Sequence, residues 1–573
     1  MMDYTIKIGG EAGQGIQTIG ATLSSIFAKA GYHVFTHQDY ESRIRGGHNF
    51  YQIRISDNPV TASRSVVNIL VALDKESITL YENELSSDGQ VLYDSNMLKQ
   101  TSDRPNFLNV PLLDLAQSNG GSKIMANIVA VGAVLGMLGM QPDIMYKTIQ
   151  EAFKKKGDSV VEANIKSARA GYEYAKEKCL QCSFMISSYN KPKMLISGNE
   201  AIGVGAIASG LKFYSAYPMT PSTGIMNYVA DKAKDSGVIV EQAEDEIAAI
   251  NMAIGASFAG VRAMTGTSGG GFALMVEEIS LAGMTETPLV IALAQRPGPA
   301  TGLPTRTEQA DLLFALYAGH GEFPRVIFAP GTPEQAFYLT NKAFDLAEKY
   351  QITAIILTDQ YLADSQWSFE EFDLKRLKLV DYRIREEQSG TIDEYKRHAF
   401  TESGISPFAV PGESKHLVVT DSDEHDEEGH IIEDALTRIK MVEKRLFKKM
   451  PIIRKEIEPP FLYGNTNPNI ILVCWGSMFG VVKEVIDELA DQYKIAMLHF
   501  SEIYPLPEEG NWLNLLSTVE LKINIEQNAT SQFASLLRAE TGLKMDRYIN
   551  RFDGRPFTIE ELKERVYANV RGL

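Results

Sequence analysis

Three times along the 573-residue chain, a short apolar run stops at a turn of glycine or small residues and gives way to helical spacing. Tyr4-Thr5-Ile6-Lys7-Ile8 leads into Gly9, Gly10, Gly13 and Gly15, then into Ile16, Ile19, Leu23, Ile26 and Phe27. Met194-Leu195-Ile196-Ser197 leads through Gly198-Asn199-Glu200 into a helix of small residues, and Asn469-Ile470-Ile471-Leu472-Val473 opens a third such unit. Strand, tight turn and amphipathic helix in alternation can bury their apolar faces only as layers, with helices covering a sheet. The expected fold class is therefore α/β, with three doubly wound domains. The first spans 1–178 and carries a largely parallel sheet. A linker follows at 179–193, the second domain at 194–374, a charge-dense connection at 375–460 with a helix over Glu433–Met450, and the third domain at 461–573.

Composition narrows the functions open to such a chain. It is 44% hydrophobic and 23% charged, as folded globular proteins are. With 56 basic against 73 acidic residues the net charge is −17, which argues against a nucleic-acid binder tracking phosphates. Three cysteines are too few for a disulfide framework or for the four thiolates of an iron–sulfur cluster. They fit a reducing, cytoplasmic setting, with Cys179 and Cys182 as two thiols. The N-terminus lacks the basic and apolar regions of a signal peptide. The longest uncharged apolar run, Ile124–Met140, holds Asn127 and three glycines and reads as a buried core helix rather than a membrane span.

Several motifs are ambiguous alone. Gly10-Glu11-Ala12-Gly13-Gln14-Gly15 sits between strand and helix, where glycines admit a ligand to the backbone and the helix start favours anions. A tight turn without a ligand explains it equally well, and Thr18 stands where a dinucleotide fingerprint needs glycine. Gly203–Ala208 falls inside a helix and reads as close packing. Gly266-Thr267-Ser268-Gly269-Gly270 has the form of a nucleophile elbow, which makes a serine hydrolase the rival enzyme class, although no histidine is visibly placed for Ser268. The Asp421–His430 run reads as a solvated loop, with a hard-cation site as the alternative.

Three turns at strand ends of the second domain are more informative together. Tyr217-Pro218-Met219-Thr220-Pro221-Ser222-Thr223 presents hydroxyls on a backbone fixed by prolines. Glu241-Gln242-Ala243-Glu244-Asp245-Glu246 places carboxylates where an apolar helix begins. The third, Gln295-Arg296-Pro297-Gly298-Pro299, sets an arginine on a rigid turn suited to gripping a carboxylate. Ligands bind at the carboxyl edge of such sheets.

In that order these residues resemble the 2-oxoacid:ferredoxin oxidoreductases. Tyr217–Thr223 is similar to the family's Tyr-Pro-Ile-Thr-Pro-Ser-Thr motif with Met219 for isoleucine, Gln295–Thr305 to its carboxylate-binding turn, and Gly10–Gly15 to the start of its gamma domain. The order of domains resembles the alpha subunit of the 2-oxoglutarate-type enzymes, with a fused N-terminal gamma domain. The resemblance implies thiamine diphosphate chemistry. It makes 194–374 the pyrimidine-binding domain and 461–573 similar to the transketolase C-terminal domain. By carry-over, Glu246 pairs with N1′ of the aminopyrimidine, with Gly255 nine residues on as in other thiamine enzymes and Glu244 as the fallback. Thr220 meets the substrate's keto oxygen or carboxylate, and Arg296 holds the carboxylate. Tyr217, Pro218 and Ser268 contact the cofactor, and Gly13 and Gly15 belong to a domain that helps admit coenzyme A.

The implied reaction converts 2-oxoglutarate, coenzyme A and oxidised ferredoxin to succinyl-CoA, CO2 and reduced ferredoxin, in either direction. Pyruvate or another 2-oxoacid is the alternative substrate, and Arg306 is one candidate for a second carboxylate. The chain lacks the Gly-Asp-Gly…Asn metal–diphosphate motif and a cluster's cysteines, so no metal site is expected on it. The resemblance puts Mg2+ and [4Fe-4S] on a beta subunit, implies an (αβ)2 assembly, and predicts that this chain alone is inactive. A serine hydrolase using Ser268 and a non-catalytic binding module remain the other two classes.

Overall fold

The computed structural model describes residues 2–43, 46–179, 182, 184–186, 191–385, 394–413 and 415–571. The described residues fall into two compact units. One comprises 1–196 with 365–371 and 557–562; the other comprises 197–364, 372–556 and 563–573.

The first unit is built on a sheet whose early strands are β1 (Asp3–Glu11), β2 (His33–Asp39), β3 (His48–Ser56), β4 (Val67–Ala72), β5 (Leu85–Tyr93), β6 (Phe107–Asn109) and β7 (Met194–Ser197). The glycine turn and the helix Ile16–Lys29 follow β1 as expected. The pairing differs from a parallel β–α–β unit, because β3 inserts between β1 and β2 and runs antiparallel to both. β1–β4, β4–β5 and β5–β6 are parallel. Alternating apolar spacing fixes which face of a strand is buried and says nothing about its neighbour or direction. A strand at Gln366–Phe369, inside the range read from sequence as the second domain, pairs with β2. The apolar run forms the helix Ala126–Met137, buried from Ile128 to Met137 and packed so closely that a Cβ at Gly132 would strike the Ala168 carbonyl.

The described part of the 179–193 linker is not free. Phe184 and Ile186 lie in the first unit's core, and Phe184 packs edge-on to Tyr4. Cys179 and Cys182, expected as thiols, are joined by a disulfide; they stand three positions apart in the sequence, close enough for the bond. Leu180, Gln181, Ser183 and 187–190 lie outside the described residues.

In the second unit β8 (Leu211–Ala216), β9 (Ile239–Gln242), β10 (Arg262–Thr267), β11 (Leu289–Gln295), β12 (Arg325–Phe328) and β13 (Thr353–Asp359) form a parallel sheet, ordered 12-13-11-10-8-9. Gly203–Ala208 lies in the helix Gly198–Ala208, where Gly205 faces the Phe337 backbone, so its glycines serve packing. The C-terminal sheet has parallel strands at Ile470–Trp475, Ile495–Phe500, Leu521–Glu526 and Arg547–Asn550. Its apolar face shares one core with the preceding sheet, Trp475, Phe500 and Phe533 packing in the same cluster as Ile291 and Leu357. Glu502–Tyr504 adds an antiparallel edge strand to β12.

The 375–460 connection is anchored by charge. Glu286, fully buried, accepts hydrogen bonds from the equally buried Lys444 and Lys449 and faces His398 at 3.3 Å. Helix forms over 435–454, overlapping the expected Glu433–Met450 and running on past it to Arg454. The Asp421–His430 run is only partly solvated: His425 is buried against His398, and Glu424 pairs with Arg438 and Arg445.

Candidate active site

Parallel register puts the ends of β8, β9, β10 and β11 at one edge of the second unit's sheet. From these ends come Tyr217–Thr223, Ala243–Glu246, Ser268–Gly271 and Arg296, the turns singled out in the sequence. Thr220 and Arg296 are joined directly, since the Arg296 guanidinium donates to the Thr220 carbonyl oxygen at 2.7 Å and to the Met219 sulfur at 3.4 Å. Among the described residues the Thr220 hydroxyl makes no hydrogen bond. Asn199 Nδ2 donates to the Pro221 carbonyl at 2.9 Å and Ser222 Oγ to the Met219 carbonyl at 2.8 Å, so the turn is held from both sides.

Glu246 is the first residue of the helix Glu246–Phe258, which Asp245 caps by accepting from the Ala248 N–H at 2.7 Å. The apolar helix behind it carries Glu246 inward, leaving it 3% exposed, whereas Glu244 is exposed. Its Oε1 is buried without a hydrogen-bond partner. It lies over Gly271, where a Cβ would be driven into both Thr267 Oγ1 and Glu246 Oε1. An ionised oxygen in that state is costly unless a ligand supplies a donor. Arg296 lies within electrostatic reach of Glu246 and Asp311, while burial holds its guanidinium below its ordinary value.

Ser268 opens the short helix Gly269–Phe272. Its Oγ is buried and unpartnered, so no histidine activates it, and the hydrolase reading loses its base. Tyr217 is 39% exposed beside Pro218.

Beyond Thr305, where the sequence points only to Arg306, the same turn carries further groups of the site. Gln295 Oε1 accepts from the Asp311 N–H at 2.9 Å, and the Leu303 N–H reaches back to the Pro297 carbonyl at 3.0 Å. Gln309 is stapled to the C-terminal sheet through Gln527, Trp475 and Asn528. Burial pushes Asp311 up to about 6 against the opposing Arg296. Glu308 is pushed up to about 7 by burial and by Asp311 and Asp553. Burial, with the Arg555 charge adding to it, lowers Arg306 to about 10. Acids in a Gly/Pro-rich turn look solvated in sequence; here Asp311 Oδ2 is buried against the Gly269 turn, and Asp553, from far along the chain, lies near Glu308.

In the first unit, Gly13 and Gly15 have φ of 95° and 84°. Gly15 precedes the helix Ile16–Lys29, which has no side-chain cap, and a Cβ there would strike Asn127. At Gly13 the corresponding space is open. The positive φ values account for both glycines as a turn.

Two family models match: one described as pyruvate flavodoxin/ferredoxin oxidoreductase, thiamine diphosphate-binding, over residues 204–444, and one as pyruvate ferredoxin/flavodoxin oxidoreductase over 5–174. A 2-oxoacid:ferredoxin oxidoreductase subunit alpha from Sulfolobus is 34% identical, with 98% of this chain and 96% of that protein covered. The chain belongs to the 2-oxoacid:ferredoxin oxidoreductase family, as an alpha subunit. A Mycobacterium tuberculosis relative of this alpha subunit, 2-oxoglutarate oxidoreductase subunit KorA, is 27% identical over 100% of this chain and 92% of its own. A solved structure of a Magnetococcus marinus 2-oxoglutarate:ferredoxin oxidoreductase, with 2-oxoglutarate, coenzyme A and succinyl-CoA bound, is 30% identical. It superposes with a TM-score of 0.90, covering 100% of both chains. No described helix is long and apolar enough to cross a membrane.

Proposed function

We propose that this alpha subunit, with a gamma domain fused at its N-terminus, acts with a beta subunit on 2-oxoglutarate and coenzyme A and passes electrons to ferredoxin. The observation that carries the catalytic assignment is the buried, unpartnered Glu246 oxygen above a glycine that cannot carry a side chain. The substrates named for the Magnetococcus enzyme and the 2-oxoglutarate specificity named for the Mycobacterium relative support the substrate.

The site's chemistry fits thiamine diphosphate, the cofactor of the matching family. When bound, it supplies the nucleophilic carbon and electron sink that let a 2-oxoacid lose CO2. Glu246 Oε1 is the acceptor that would share a proton with N1′ of its aminopyrimidine. Tyr217, Pro218 and Ser268 would line the cofactor. Arg296, fixed by the Thr220 carbonyl, would bind the substrate carboxylate through its remaining N–H groups, and the free Thr220 hydroxyl would donate to the keto oxygen. Gly13 and Gly15 would keep the gamma turn open for coenzyme A. The chain's own cysteines cannot supply a four-thiolate cluster set, so Mg2+ and [4Fe-4S] belong in this reading to the beta subunit of an (αβ)2 enzyme.

The test is to co-express the chain with its beta partner and assay viologen reduction with coenzyme A, comparing 2-oxoglutarate with pyruvate. Faster turnover of 2-oxoglutarate, with none from the alpha subunit alone, is expected. A preference for pyruvate refutes the substrate; turnover by the isolated chain refutes the division of labour.

A further inference from the structure

Asp311 has no role in the account above, yet it is built into the same site. Its backbone N–H is held by Gln295, the residue before Arg296. Its Oδ2 is buried and unpartnered. That oxygen faces the glycine turn from the other side: a Cβ on Gly269 would stand 2.5 Å from Asp311 Oδ2, as one on Gly271 would meet Glu246. Arg296 feels both carboxylates, but it forms no ion pair with either; its hydrogen bonds go to Thr220 and Met219.

We infer that Asp311 is a positioning residue that couples capture of the substrate carboxylate by Arg296 to the uptake of one proton. The inference rests on the proposed role of Arg296. A substrate anion docking on that guanidinium brings a second carboxylate within reach of Asp311. Two carboxylates sharing one cation and little water do not both stay ionised. Burial has already raised Asp311 to about 6, so near neutral pH the proton comes cheaply from solvent. The proton settles on the Asp311 carboxyl, no other bond changes, and Arg296 with its bound carboxylate is left neutral overall. The charged groups facing Asp311 are Arg296 on the β11 turn and Glu308 on its own turn; Glu246 faces Arg296 from its helix. Burial and then the Asp311 charge raise Glu308, so a profile must separate the two.

The experiment uses the reconstituted alpha–beta enzyme and the 2-hydroxy acid analogue of the substrate, which cannot decarboxylate. Its Ki is followed from pH 5.5 to 8.5 in the wild type, D311N and E308Q. In the wild type Ki is expected to be flat below pH 6 and to rise above it, approaching tenfold per pH unit. D311N should flatten that rise, and E308Q should keep it. Parallel wild-type and D311N profiles overturn the inference. Calorimetry of the unmutated enzyme in buffers of different ionisation enthalpy needs no variant: absence of proton uptake at pH 7 overturns it too. R296A separates the premise from the inference. If R296A leaves Ki unchanged, the arginine is not the anchor and the premise fails; if it raises Ki while D311N and wild type stay parallel, the Asp311 coupling alone fails.

Discussion

Glu246→Gln tests the assignment at its centre, because the two side chains share a shape and differ in what one buried oxygen can do. In the structure Oε1 has no partner and the residue is 3% exposed, so no existing hydrogen bond is lost with the charge. A group that moves a proton in the rate-determining chemistry is worth about 10²–10⁴ in rate, or about 3–5 kcal/mol. Stability should move the other way. Replacing a buried carboxylate whose Oε1 has no hydrogen-bond partner relieves its desolvation, so the melting temperature should hold or rise. The assay is kcat of the reconstituted enzyme at saturating thiamine diphosphate, with cofactor affinity measured separately and thermal unfolding alongside. A variant that loads cofactor and retains kcat within tenfold of wild type would refute the reasoning. A large fall in melting temperature would refute the claim that the carboxylate is held for a ligand, since it would then be holding the fold.

Gly271→Ala should push Thr267 and Glu246 aside, costing about 1–3 kcal/mol of stability with a loss of kcat larger than unfolding explains; denaturant titration with activity at matched folded fraction checks it. Glu286→Gln leaves Lys444 and Lys449 buried without their counter-charge and should cost about 3–5 kcal/mol, read from chemical unfolding of the complex. Glu308 has its folded value raised to about 7, above its unfolded one, so the stability it contributes is present in acid and lost as pH rises through 7. Glu308→Gln should therefore gain stability at pH 8 and not at pH 4, by about 1–2 kcal/mol after allowing for its half-exposed position; unfolding curves at the two pH values decide.

What could be read in the sequence was local. Strand ends followed by Pro/Gly turns announced Thr220 and Arg296, and a carboxylate opening an apolar helix announced Glu246. All three lie at one sheet edge because parallel strands end together. What could not be read depended on distant chain. The placement of β3 between β1 and β2 is a choice of partner that period-two spacing leaves open. The charge-dense connection gives no sign that Lys444 and Lys449 are buried, because the acid that explains their burial lies 158 and 163 residues away. Asp311 and Glu308 escaped notice because the groups around them, the Gly269 turn and Asp553, come from other segments of the chain. Cys179 and Cys182 were read as thiols from the size of the cysteine set, whereas their spacing alone permits the bond that forms.

The staple at Gln309 has a consequence for how the protein is made. Gln527 and Asn528 stand 218 and 219 residues downstream of the glutamine they hold. As the nascent chain leaves the ribosome, the stretch bearing the arginine is therefore synthesised long before its clasp exists. Its final shape is set only after the segment carrying Gln527 and Asn528 has been made, so the turn matures well after its own synthesis.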